Sequence, residues 1–396
     1  MKIISFLFFL FILNSCNKYL GTIDPDYIPK NEVDEVLSSN IEILDNYDHI
    51  NFGSVMYPKS KVIEKELNLT KLKKIASINK NSKIYSNINN IYYSKKNYLT
   101  EISKTNLGKR INHKLDFDKD EYIIKIIESA KNIFLLTNKS KLFRLNDDTL
   151  KLEIDLETYI NSNPILLDDR ILIFTVFGNV FEYNFKNNIA VQKGNFIPNH
   201  GTSLTSNSYL YNDLRSYLFN SGTLIFINKI NNQYQPNYFV EDLNILSSMD
   251  IFEDFIDAPF EYENYLYFIE KNGFLSIFNP LTSEILWELN ISSPIEDFIF
   301  SNNGYLALLT KNKILLLDKK GKIVLDILHG VKSPVSFLIS SNEIYIFHKK
   351  GVTIFDISTK ELIKSIKLNF YNDIDILNFE SDLFIKDSKS LYKLSE

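Results

Sequence analysis

Residues 272–289 read NGFLSIFNPLTSEILWEL. Asn272-Gly273 is the strongest two-residue hairpin signal a sequence offers, because both central positions of the favoured turn need positive φ. The apolar stretch Phe274–Phe278 follows as a strand, residues 279–283 (NPLTS) make a polar turn, and Glu284–Leu289 is a further strand. Tyr265–Ile269 supplies the strand ahead of the hairpin. The last strand carries Trp287, the only tryptophan in a chain with 30 Phe and 23 Tyr. A lone Trp in this place is either a stacking platform for a ligand or a fixed position in a repeated unit.

The rest of the chain points to a repeat. The same order of strand, short polar turn, strand, longer polar turn and strand recurs over residues 305–328, 344–366, 91–115, 133–156 and 171–194. A looser copy spans 217–242, and a truncated one, 383–394, stops after its second strand. The hairpin turns fall near residues 96, 139, 178, 221, 272, 312, 350 and 388, including the glycines Gly273 and Gly351. Several copies open on a Pro-hydrophobic pair: Pro164-Ile165, Pro259-Phe260, Pro294-Ile295 and Pro334-Val335. Proline is tolerated at the first residue of a strand, so each pair marks a fourth strand at the head of the unit.

Strands such as Tyr265–Ile269 and Ile314–Leu317 are apolar at every position rather than alternating. A sheet with one wet face would alternate; these strands need cover on both faces. Four-stranded antiparallel sheets packed face to face in a radial array meet that need and shield the sheet edges. The expected fold is therefore all-β, an eight-bladed β-propeller of four-stranded antiparallel blades. The eighth copy lacks a fourth strand, and residues 61–67 (KVIEKEL) read like the Trp287 strand, so this N-terminal segment is expected to complete the last blade.

Composition narrows the function classes. The 396 residues carry a net charge of −5, and the lysines are scattered among carboxylates, which excludes a nucleic-acid-tracking surface. Met1-Lys2 precedes the apolar run at residues 3–13, too short to span a bilayer and suited to a signal peptide. Leu13-Asn14-Ser15-Cys16 follows, and Cys16 is the only cysteine. The expected organisation is a signal peptide over 1–15, a polar tether over 16–55 and the propeller over 56–396.

Apolar, small, then Cys after an h-region resembles the lipobox of bacterial lipoproteins. That resemblance implies cleavage before Cys16, acylation of its thiol and membrane attachment through lipid alone. The absence of Asp at position 17, which is Asn17, implies the outer membrane. The repeat itself resembles the PQQ-type propeller repeat, roughly LYALD-x-x-TGK-x-x-W. Thr282 to Trp287 matches its end with Ser283 for Gly, and Lys320-Gly321-Lys322 keeps the Gly while Leu325 replaces the Trp. Gly273, Gly321, Gly351 and Trp287 are thus the structural signature of the unit.

A propeller of this repeat type behind a lipobox resembles the BamB-like lipoproteins of the outer-membrane β-barrel assembly machinery. The resemblance implies a non-enzymatic scaffold on the periplasmic face, binding the POTRA region of the BamA-type barrel insertase and helping unfolded barrel precursors. It supplies no contact residues. The amide- and Tyr-rich segment 231–238, with Tyr234, Gln235 and Tyr238, is the expected partner-binding loop. The alternatives are a lipid-anchored propeller that takes a small molecule or polysaccharide in its axial funnel, and a PQQ-dependent dehydrogenase relative.

The dehydrogenase family stacks its quinone between a Trp and a vicinal disulfide, and one cysteine cannot form that disulfide; no cofactor is expected. His49, His113, His200, His329 and His348 are dispersed without ligand spacing, and residues 253–257 (EDFID) lack the alternating oxygens of a calcium loop. No metal site is expected either.

Overall fold

The computed structural model describes most of residues 52–195 and 260–394 and, as backbone, the strands between 209 and 240. Cys16 and the tether as far as residue 51 lie outside the described residues. The described strands form eight antiparallel sheets, seven of four strands and one of five. In chain order the first seven cover residues 84–114, 123–155, 165–195, 209–240, 260–290, 295–328 and 334–367. The eighth joins Asp375–Phe379, Asp382–Lys386 and Ser390–Leu394 to Leu72–Ser77 from the start of the chain. Every expected hairpin turn lies between the second and third strands of its sheet, and Pro164, Pro259, Pro294 and Pro334 stand at or just before first strands.

Burial follows strand order. In the sixth sheet Leu306–Thr310 is buried throughout and Lys313–Leu317 almost so, whereas the fourth strand of the seventh sheet, Leu362–Lys367, is exposed at nearly every residue. First strands such as Pro334–Ser340 sit at a sheet edge and are nevertheless buried. The first strands of neighbouring sheets approach one another, and so do fourth strands such as Ile189–Asn195 and Gln233–Val240. Sheets therefore stack face to face with their first strands on a common inner side, which is the arrangement of a β-propeller.

Apolar clusters fill the seams between sheets. Ile124, Ile127 and Phe134 of the second sheet pack against Ile171, Ile173 and Tyr183 of the third. Phe384 and Leu391 of the eighth meet Ile91, Tyr93 and Ile102 of the first. Each such side chain contributes about 1.5–3 kcal/mol on burial, so apolar residues on both faces hold a sheet to both neighbours.

Two expectations are corrected. The strand completing the eighth sheet is Leu72–Ser77, paired Leu72 to Leu394 and Ser77 to Ser390, not residues 61–67. Lys61 instead turns inward, and 62–66 lie outside the described residues. A fourth strand is the exposed one, so its sequence is weakly constrained, and two polar segments ten residues apart match it equally. Tyr234, Gln235 and Tyr238 lie in a strand rather than a loop: Gln233–Val240 pairs with Leu224–Ile230. The register shifts at Phe226/Ile227, beside Pro236, and such an irregular edge accommodates a proline without breaking the sheet.

Candidate functional site

One position of the repeat organises the inner side. In the second, sixth and seventh sheets the first strand slips register between its first and third residues, placing Lys125, Asp297 and Ser336 at the same point opposite the second strand. Lys83 occupies this point in the first sheet, where its carbonyl accepts from Ser94 N–H at 2.9 Å, and Asp375 occupies it in the eighth. The inner ring thus carries Asp375, Lys83 and Lys125 on three consecutive sheets and Asp297 and Ser336 on another two.

The chain itself fills the side at Asp297. Val55–Tyr57 pairs as a fifth strand with the free inner edge of Ile295–Ser301. Tyr57 stacks on Phe260 at 4.7 Å and on Phe298 at 5.9 Å, and Phe52 is buried among Ile299, Leu316 and Phe337. Lys61 follows, 6% exposed, in an ion pair with Asp297, itself 9% exposed. The carboxylate also accepts from the Ser336 hydroxyl at 2.6 Å and from Phe298 and Phe337 N–H at 2.9 and 3.2 Å, while Lys61 Nζ donates to Phe298 O at 3.3 Å. A charge pair with every neighbouring acceptor and donor engaged is the condition under which buried ions are tolerated.

The side at Lys83 and Lys125 is open. A cavity of 530 Å³ lies against the first strands of the eighth, first, second and third sheets, lined by Lys83, Tyr85, Lys125, Glu128, Leu166, Asp375, Phe379 and Lys386 among others. A neighbouring space of 440 Å³ shares Lys83, Asp375 and Lys386 and adds Lys80, Tyr122 and Asp373. Both carboxylates of the larger cavity are engaged: Glu128 accepts from Tyr85 Oη at 2.9 Å, and Asp375 pairs with Lys386 at 3.1 Å. The amines of Lys83 and Lys125 have no such partner among the described residues. Desolvation holds both below the usual lysine range, and for Lys83 the nearby Lys386 and Lys125 push further down against Asp375.

On the outer side, Trp287 closes the seam between the fifth and sixth sheets. Its indole Nε1–H donates to Lys319 O at 3.2 Å, and its ring lies over Gly321, where a Cβ would come within 3.0 Å of it. Gly321 has φ +76°, so the turn needs its freedom as well as its lack of a side chain. Asp318 holds that turn by accepting from Lys320 and Lys322 N–H, each at 2.9 Å, and Lys319 reaches back to Glu263 at 2.5 Å. The corresponding Asp356 and Asn184 hold the turns of the seventh and third sheets in the same way. These are Asx turns, and they recur in three of the sheets.

No family model matches the chain. No curated protein sequence matches it either. Among solved structures, BamB from Moraxella catarrhalis superposes over 81% of this chain and 99% of its own, with a TM-score of 0.53 at 13% identity. In fold, the chain is similar to BamB. It is equally similar to the computationally designed Ika8 protein (TM-score 0.56, 10% identity, 82% of this chain and 100% of that one) and to Saccharomyces cerevisiae Sqt1 (0.56, 11%, 82% and 97%). A natural BamB and a designed protein with one fold show that the fold alone does not select a function.

The remaining sequence-predicted residues stand as follows. Gly273 and Gly351 sit at the hairpin ends of the fifth and seventh sheets with φ of +103° and +145°, and Trp287 and Gly321 meet across a seam. The structure does not bring Tyr234, Gln235 and Tyr238 to either the inner ring or that seam. His329 is fully engaged: Nδ1 accepts from Val331 N–H at 3.0 Å, so Nε2 carries the proton and donates to Thr310 O at 3.1 Å. His113 bonds Glu101 at 3.3 Å and His348 bonds Thr353 at 3.1 Å. Residues 199–201 and 253–257 lie outside the described residues. Sequence reasoning missed Lys61, Asp297, Lys83 and Lys125; aligning the copies on their first strands, one residue before the apolar core, is the signal that finds the last three.

Proposed function

We propose that this chain is a lipid-anchored, non-enzymatic propeller scaffold of the outer-membrane β-barrel assembly machinery, tethered through Cys16 at the periplasmic face. The observation that carries the reading is the fold similarity to BamB across 99% of that chain. The lipobox-like residues 13–16 supply independent support for the anchor. On this reading the eight sheets are eight blades of one ring closed by Leu72–Ser77, and the partner is the POTRA region of a BamA-type insertase, with unfolded barrel precursors passing nearby. We place partner contact on the outer strand Gln233–Val240, at Tyr234, Gln235 and Tyr238.

Trp287 supports a scaffold over a quinone enzyme, because its ring is committed to Gly321 and its N–H to Lys319. The test is in vivo photo-crosslinking from positions 234, 235 and 238 and from the inner ring. Capture of a POTRA-containing insertase from the outer strand is expected; crosslinks to the insertase from neither region would overturn the reading. Cys16→Ser is expected to move the protein from the membrane to the soluble fraction, and unchanged fractionation removes the anchor.

A further inference from the structure

The inner ring carries an inference that goes beyond the scaffold reading and does not depend on it. We propose that the cavity between the eighth, first, second and third sheets binds a small organic dianion, with Lys83 and Lys125 as the two cationic contacts. The chemistry they share as recognition elements is that of a phosphoryl or dicarboxylate group.

The first observation is positional. Lys83 and Lys125 stand at the repeat position that holds Asp297 in the sixth sheet. Asp297 receives the ammonium of Lys61 from the chain's own N-terminal segment. At the equivalent point of two adjacent sheets the sign is reversed; Asp375 acts on Lys83 from nearby, and neither lysine has an ion pair with it among the described residues. Asp375, the next member of the ring, is held by Lys386 at 3.1 Å, and Glu128 by Tyr85. The two carboxylates that share the cavity with these lysines are thus each shared with another partner.

The second observation is the space. A cavity of 530 Å³ falls within the range of small-molecule sites, and its walls combine the cations with apolar and aromatic surface from Ile84, Ile126, Leu166, Leu377 and Phe379. Desolvation shifts both amines toward their neutral forms, Lys125 being half-buried and Lys83 more exposed. In a chain of net charge −5, this cavity sets Lys83, Lys125 and Lys386 against only Asp375 and Glu128 and so stays net positive. An anion entering from solvent supplies the balancing charge, and two lysines at the same register point of adjacent sheets match two charges better than one.

Calorimetric titration of the full chain with inorganic pyrophosphate and, separately, citrate tests this. Saturable one-to-one binding of at least one probe is expected; pyrophosphate alone assigns a phosphoryl ligand, citrate alone a carboxylate one. Lys83→Gln and Lys125→Gln should each weaken binding at least tenfold, Lys125→Arg should retain it, and Lys73→Gln on the exposed strand Leu72–Ser77 should leave it unchanged. Thermal unfolding without probe supplies a readout independent of binding: Lys125→Gln should unfold at the same or a higher temperature. Failure of both probes to bind, equal binding by the Lys83→Gln/Lys125→Gln double variant, or a lower unfolding temperature for Lys125→Gln would each overturn the site.

Discussion

The two sides of the inner ring share one backbone and differ in what completes them. At Asp297 the propeller is finished from within: a fifth strand, a stacked tyrosine and a buried lysine occupy the inner edge of the sixth sheet. At Lys83 and Lys125, three and four sheets away along the ring, the same register point faces a cavity. A repeat fixes where a side chain projects. Whether its charge serves stability or stays available is decided by which other segment reaches it, and here Val55–Tyr57 and Lys61 reach the Asp297 side.

The comparison breaks first at Asp297. Asp297→Ala leaves Lys61 buried without a counter-charge and is expected to cost about 3–5 kcal/mol in a denaturant titration. Adding Lys61→Met should recover most of that loss, since the pair is worth far less than the orphaned ion. A single-variant loss under about 1 kcal/mol would mean the filled side is held by something other than this pair. Next comes Tyr57→Ala, which strips a ring stacked on Phe260 and Phe298; a loss of about 1–3 kcal/mol is expected from the same measurement.

A pH titration sharpens the filled side further. Burial holds the His329 pKa below its ordinary 6.5, outweighing its bond to Thr310 O. The unfolded chain therefore takes up a proton first, so the His329 contribution is whole above about pH 6.5 and is lost as pH falls from there toward the folded value. His348, lowered by burial and by Lys350, adds the same sign. The expected slope is up to about 1.4 kcal/mol per pH unit for each histidine, and His329→Gln should flatten it.

The smallest effect belongs to the open side. The Lys125 amine is lowered in the folded state, so the folded protein binds its proton less tightly than the unfolded chain. Stability should rise as pH climbs from the folded value toward 10.5, and Lys125→Gln should remove that rise while gaining less than about 1 kcal/mol at neutral pH. A loss on the open side as large as that of Asp297→Ala would erase the distinction between the two.

Legibility in the sequence tracked burial. Strands covered on both faces, such as Leu306–Thr310, are written in uninterrupted apolar residues, and the hairpin turns between them in Asn, Gly and Lys, so the repeat was readable throughout. The strand Leu72–Ser77 buries only Ile75 and Ala76 well, which leaves little to distinguish it from 61–67. Segment 231–238 looks like a loop because amides, Tyr and a Pro dominate it, yet an outer strand with a register irregularity tolerates that composition. Trp287 was legible as a repeat position because its neighbours repeat. Lys83 and Lys125 were not, being two among 44 basic residues until register set them beside Asp297.

Closure of the eighth sheet ties the fold to time. Leu72–Ser77 can pair only after Ser390–Leu394 has been made. At ribosomal speeds of about 5–20 residues per second, the intervening chain takes roughly 15–60 s to appear. During that interval the early strand has no edge to join, however fast its own sheet would form. The lifetime of the incomplete ring is thus at least that set by elongation, and any helper that shields an unpaired strand has that window in which to act.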